Sequence, residues 1–146
     1  MHPFLLFGCC FAGVDLIDVA FFAALSTDIR NVPVETILKF DFVSHNYGNG
    51  YDRSTGIFTC PTSGMYLFLI FIDGMEQEDS VVSLVHNGVP LISALAEPSF
   101  NGQDIIGANA IAFRLYKGDR VWIKISTYPG SFWKVFTTFS GLLIHR

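Results

Sequence analysis

The stretch Asn46-YGNGYDRSTGIFTCPTSGMYL-Phe68 decides how this chain is read. Its first half is crowded with turn formers: Asn46, Gly48, Asn49, Gly50, Asp52, Ser54 and Gly56. Its second half holds two apolar bursts separated by Pro61 and Gly64. Glycines supply positive φ or close packing at turns, and Pro61 interrupts a strand because it lacks a backbone donor. Tyr51, Phe58, Tyr66 and Phe68 are large enough to fill the space between two packed sheets. The spacing is that of a structural framework, with no catalytic motif in it.

The flanking sequence reads as further strands. Val19 to Leu25 is small and apolar. Ile37 to Val43 alternates, which predicts a strand with Leu38, Phe40 and Phe42 on one face. Gly56 to Cys60 forms a short strand after the turn. Met65 to Ile72 is apolar at every position, so both of its faces need cover. Ser80 to Val85 and Val89 to Leu95 flank Asn87-Gly88, a strong hairpin signal. Ala110 to Leu115 and Arg120 to Ile125 flank a second tight connection, and Phe136 to Ile144 forms the last strand. No segment of helical length has a 3.6-residue period. The expectation is an all-β sandwich or jelly roll.

With 146 residues, one domain is the default. Hydrophobic residues make up 51% and charged residues only 15%, and 15 residues are Phe. Such a chain buries strands on both faces or buries surface against other chains. The net charge of −4 gives no basic footprint for nucleic acid, and the scattered Lys and Arg form no polybasic membrane patch.

Met1 to Val14 carries no charged side chain, and Phe4 to Ala12 is a short apolar run. It resembles the apolar core of a secretory leader, with cleavage after Ala12 or Gly13, although no basic residue precedes it. The alternative is an N-terminal extension. A membrane span from Phe4 to Leu25 is disfavoured by Asp15 and Asp18, each costing roughly 2.5–3.5 kcal/mol near a bilayer centre. The expected division is a leader or extension over 1–13, a lead-in over 14–18 and one globular domain over 19–146. If Cys9 and Cys10 leave with the leader, Cys60 is the one cysteine of the mature chain, and a lone Cys in an apolar strand is usually an inert core residue. No C-x-x-C pair, G-x-S-x-G, phosphate loop, calcium loop or N-x-[ST] sequon is present. No cofactor or metal is therefore expected, and no catalytic residue can be named.

The quoted stretch resembles the signature of the complement C1q globular domain. That signature's fixed places hold Phe40, Asn46, Tyr51, Phe58, Gly64, Tyr66 and Phe68. Ile70 stands where the family usually has Phe or Tyr, a change that roughly keeps apolar volume. The resemblance extends to Gly118-DRVW-Ile123 and Thr138-FSGLL-Ile144, and covers Val19 to Arg146. It implies a jelly roll of about ten antiparallel strands, shared with the tumour necrosis factor family and assembled as a homotrimer. Met65, Leu67, Leu69 and Phe71 lie opposite Tyr66, Phe68, Ile70 and Ile72 on their strand. Leu67, Leu69 and Phe71 are thus the candidate trimer face. Gly141 is expected to let the last strand pass close to an aromatic ring.

The resemblance also implies secretion and recognition without catalysis, here as a head without a collagen stalk. The favoured function is lectin-like innate immune recognition of microbial glycans or surface patterns. The alternatives are a signalling or adhesive ligand for a host receptor, or a component of extracellular matrix. Some family members hold calcium near the loop before the last strand. Ser126 to Thr138 contains no Asp or Glu, so no calcium site is expected in that loop. It carries Tyr128, Phe132, Trp133 and Phe136 instead, with Lys134 beside Trp133. Aromatic faces stack on sugar rings, and Lys134 can meet an anionic substituent; the competing role is packing beneath the loop. Arg53, Asn101 and Gln103 are further binding candidates from loops, as strand positions are committed to packing. The acidic segment Glu76 to Asp79 reads first as a solvated loop.

Overall fold

The computed structural model describes residues 18–75, 79–97 and 105–146. The segment 1–13 expected to be a leader or an extension, with Cys9 and Cys10, lies outside the described residues, as do Glu76, Glu78 and the candidates Asn101 and Gln103. The elements are β1 (Ala20–Ala24), β2 (Ile29–Val32), β3 (Phe42–Tyr47), β4 (Tyr51–Asp52), β5 (Ile57–Thr59) and β6 (Gly64–Asp73). They continue with β7 (Ser80–His86), β8 (Val89–Ala96), β9 (Ile106–Leu115), β10 (Arg120–Ser126), β11 (Gly130–Phe132) and β12 (Thr138–His145). Two five-stranded antiparallel sheets, β3-β1-β12-β6-β9 and β4-β5-β10-β7-β8, face each other. A two-stranded ribbon, β11-β2, lies beside them. The architecture is an all-β jelly-roll sandwich.

The quoted stretch builds its corner. Asn49 N–H closes a turn on the Asn46 carbonyl at 3.1 Å, with Gly48 at φ +84°. The Asn46 side chain then clamps Tyr51 from both sides. Its amide donates to the Tyr51 carbonyl at 2.7 Å, and its oxygen accepts the Tyr51 N–H at 3.1 Å. So held, Tyr51 enters the core and stacks on Phe21, ring centroids 4.9 Å apart. Phe21 also stacks on Phe58 and meets the edge of Phe139 at 5.0 Å. Phe68 packs edge-on to Phe58 and stacks on Phe139. Offset and edge-to-face contacts are the favoured aromatic geometries.

Glycine serves this core at the last strand. A Cβ on Gly141 would stand 2.7 Å from Phe68 ring carbons and 2.8 Å from Phe21. The expected close passage of that strand past an aromatic ring is therefore present, with two rings rather than one.

The strand expected over Ile37 to Val43 differs. Leu38 and Phe40 are buried, but Phe42 is 58% exposed, and the strand runs from Phe42 to Tyr47 rather than from Ile37 to Val43. Ile37 makes a single antiparallel bridge to Lys124 of β10, and from Leu38 to Asp41 the chain belongs to no strand. Leu38 N–H bonds the Ile123 carbonyl, and Phe40 N–H bonds the Tyr51 hydroxyl. Once that hydroxyl replaces a neighbouring strand, the two-residue alternation need not persist.

β6 alternates between full burial and partial exposure. Tyr66, Phe68, Ile70 and Ile72 are fully buried, whereas Met65, Leu67 and Leu69 are half-buried and Phe71 is exposed. One chain thus covers one face of a strand that is apolar on both.

Candidate functional site

The loop after β10 carries Tyr128, Phe132, Trp133 and Lys134, and the fold separates them. Thr127 takes φ +68°, and Tyr128 follows it, half exposed, beside Pro129. Phe132 turns inward and is completely buried in the core cluster. It is therefore removed from the ligand-facing set; its ring fills the sandwich next to the β11–β2 ribbon. A one-residue step along the chain turns Trp133 back outward, where it is half-buried.

The segment after Phe132 is pinned at several points. Trp133 N–H bonds the Asp73 carbonyl at 2.8 Å. The Thr137 hydroxyl donates to the Trp133 carbonyl at 2.7 Å and accepts the Asp73 N–H at 3.0 Å. Lys134 N–H is received by an Asp28 carboxylate oxygen at 2.9 Å. These bonds leave the side chains of Lys134, Val135 and Phe136 exposed, the last two at 64% and 52%. The Arg30 guanidinium lies over the Trp133 ring, 5.5 Å from its centroid. Pairing of β2 with β11 brings Arg30 there, and nothing in the sequence joined the two residues.

Asp28, Asp73, Trp133, Lys134, Val135 and Phe136 line an open groove of about 340 Å³. Tyr128 is not in it; with Asn31, Asp79 and Pro129 it borders a different groove of about 360 Å³. Arg53 is exposed on the turn after β4 and borders other depressions, with Asp41 and Asn46 among its neighbours. The candidates therefore divide among separate places. Trp133 and Lys134 share one groove with Asp28 and Val135, and Arg30 lies over the Trp133 ring; no motif in the sequence marks Asp28, Val135 or Arg30. Such a groove can bind by stacking, ion pairing and apolar contact. Among the described residues no group of three or more His, Cys, Asp or Glu side chains is arranged to hold a metal ion.

Cys60 is free and buried. Burial pushes its thiol pKa up, and the thiol donates to the Thr62 carbonyl at 3.1 Å. The Tyr66 hydroxyl donates to the same carbonyl at 2.6 Å. This arrangement keeps the thiol protonated and so suppresses its nucleophilicity.

Two facing antiparallel sheets with this strand order define a head of the C1q and tumour necrosis factor type. Residues 20–144 match the C1q domain family, and the chain belongs to that family. The family is non-enzymatic. Complement C1q tumor necrosis factor-related protein 3 of Homo sapiens is 33% identical over 131 residues, a match covering 88% of this chain and 52% of that protein. Caprin-2 of Danio rerio is 31% identical over 133 residues, covering 88% of this chain and 14% of caprin-2. The chain thus spans about half the length of the first relative and a small part of the second. The globular domain of zebrafish complement 1qA superposes with a TM-score of 0.74 at 21% identity, over 88% of this chain and 98% of that one. Murine APRIL at pH 5.0 gives a TM-score of 0.67 at 13% identity, over 87% and 99%. These two structural likenesses are likenesses of fold.

Proposed function

We propose that this chain is a secreted recognition head that assembles as a homotrimer and binds glycans or related patterns on microbial surfaces. The observation that carries the binding half is the Trp133 groove. The Trp133 ring, Lys134 and the exposed apolar groups of Val135 and Phe136 gather on a loop pinned by hydrogen bonds, and Arg30 reaches over the ring from β2. Placing a site on a rigid support lowers the ordering cost of binding. Three weak sites on one trimer would add avidity without any new contact.

The trimer is supported by the outward face of the β3-β1-β12-β6-β9 sheet. Cross-strand pairing sets Phe22, Ser140, Leu69 and Ala110 in one row, and Ala20, Leu142, Leu67 and Ala112 in the next. None of these side chains is charged, and contiguous apolar surface of this kind marks an interface. Secretion is the habit of the family to which the chain belongs.

A second reading, a ligand for a host receptor, is favoured by the exposure of Val135 and Phe136. Apolar side chains of that kind suit a protein surface better than a sugar.

The discriminating experiment screens the assembled protein against a glycan array and against cell-surface receptors, then repeats the positive assay with Trp133→Ala while measuring particle mass. Saccharide binding that weakens in the variant, with the trimer intact, supports the first reading. Receptor capture without saccharide binding supports the second. Wild-type behaviour of Trp133→Ala in both assays removes the groove from either.

A further inference from the structure

His45 interrupts a sheet face whose only other titratable side chain is Tyr47. It pairs with Phe22 across β3 and β1, so it extends the row that runs through Ser140 and Leu69 to Ala110. The flanking rows, from Tyr47 to Ala112 and from Phe42 to Ala108, carry no Asp, Glu, Lys or Arg. In the single head the imidazole is exposed, its centroid 6.3 Å from that of Phe22 and 5.5 Å from that of Tyr47. The Ser44 hydroxyl lies 3.0 Å from its Nδ1. A hydroxyl can bond either state of the ring but cannot balance a charge on it.

Charged groups bound this face, and among the described residues none pairs with His45. Arg114 and His145 flank Met65 one row beyond Tyr47. Asp18 and Arg146 border a depression with Tyr47. At the other end Asp41 precedes Phe42, with one oxygen on the Ser26 N–H at 2.9 Å and the other on the Ser26 hydroxyl at 2.6 Å. Asp73, near that end, is buried. A second copy has another exposed apolar run to offer, Val89, Leu91 and Leu95 on β8 with Ile106 on β9. That run is also uncharged; His86 pairs with Val89 at one end, and Glu97 follows β8 at the other. Whichever of these two surfaces a copy lays against His45, its apolar part supplies no carboxylate.

We propose that His45 makes assembly through this face acid-sensitive: the trimer buries the neutral imidazole, and protonation of the ring drives the copies apart. The inference rests on the trimer reading above. An imidazole changes charge between about pH 5 and 8. A protonated ring inside the closed interface is a buried ion without a counter-charge, whereas water solvates it on the lone head. The separated heads therefore bind protons more readily than the trimer does. By linkage the trimer is fully stable above the imidazole range and weakens as pH falls through it. Hydrogen bonds from Ser26 and from the Tyr116 N–H hold Asp41 and Asp119 below the usual carboxylate range, so these two stay ionised throughout that interval.

The test measures particle mass of the full chain by sedimentation over a dilution series, at about pH 7.5 and about pH 5, with circular dichroism alongside. The wild type is expected to be a trimer at the higher pH. At the lower pH its dissociation should set in at a concentration at least about tenfold higher, with the dichroism unchanged. His45→Gln keeps polarity and His45→Phe extends the apolar row; neither can take up the proton, and both are expected to dissociate at the same concentration at the two pH values. His86, 3.1 Å from Asp119, and His145 are retained in every protein, so the difference isolates His45. A wild type whose dissociation ignores pH overturns the switch and leaves the trimer standing. So does acid dissociation that His45→Gln or His45→Phe shares, or that comes with unfolding. A wild type that is monomeric at about pH 7.5 overturns the assembly itself, and the switch with it.

Discussion

The Tyr51 hydroxyl closes a two-way bridge to one residue: it donates to the Phe40 carbonyl at 2.9 Å and accepts the Phe40 N–H at 3.0 Å. Phe40 is fully buried and Tyr51 almost so. The phenol thus stands in for a strand neighbour where the backbone lacks one. Tyr51→Phe removes a single oxygen but strands a buried donor and a buried acceptor. Leaving such groups unpaired costs about 1–3 kcal/mol each. The expected loss is roughly 2–4 kcal/mol in denaturant unfolding, with no change in particle mass.

Alkali should unfold the protein through its buried tyrosines. Burial raises the pKa of Tyr51 and of Tyr66 above the ordinary tyrosine range. An unfolded tyrosine ionises near pH 10. Both groups therefore retain protons in the folded state that the unfolded chain gives up. Their contribution to stability is complete below about pH 10 and is lost as pH rises from there through the folded values. Thermal melts across this interval should show a steep fall, less steep in Tyr51→Phe. Equal slopes in the two proteins would argue against Tyr51 as a source.

Gly141→Ala tests the packing of the last strand. Its new methyl would press on the Phe68 and Phe21 rings, both of which are boxed in by other aromatics. Overpacking of a full core costs typically about 1–3 kcal/mol. A lowered unfolding midpoint with an unchanged m-value is the expected result.

Leu69→Glu separates assembly from folding. Leu69 points out of the sheet, half-buried in a row with Phe22, Ser140 and Ala110. A lone head can solvate the new carboxylate. A trimer closed over this face would bury it unpaired, at a cost of several kcal/mol per ion. Light scattering should find the wild type as a trimer and the variant as a folded monomer. A wild type that stays monomeric at micromolar concentration would overturn the assembly.

Most of the sandwich was legible because its long strands carry period-two or continuous apolar patterns and its turns carry Asn87-Gly88 and Gly118. β2 and β11 were not: four and three residues are too short to show a period, and Asn31 even takes φ +53°. The start of β3 was misplaced for the reason Tyr51 supplies, since a side-chain hydroxyl that substitutes for a strand leaves no trace in hydropathy. The fate of the aromatic loop follows from the same gap. Sequence places Phe132 and Trp133 side by side, and pairing of Phe132 with Ile29 sends one ring into the core and leaves the other beneath Arg30. Without β2 in view, neither the burial nor the arginine could be read.

The seating of β12 between β1 and β6 bears on how the protein comes into being on the ribosome. Within this domain β1 and β6 leave the ribosome well before β12, so the slot between them stays open until the domain's last strand has emerged. Through that interval Phe21 and Phe68 lack the Phe139 ring they share, and two strand edges stand unpaired. Such edges invite pairing with other chains. Both edges are capped together only when Gly141 passes the two rings and β12 pairs with β1 and β6.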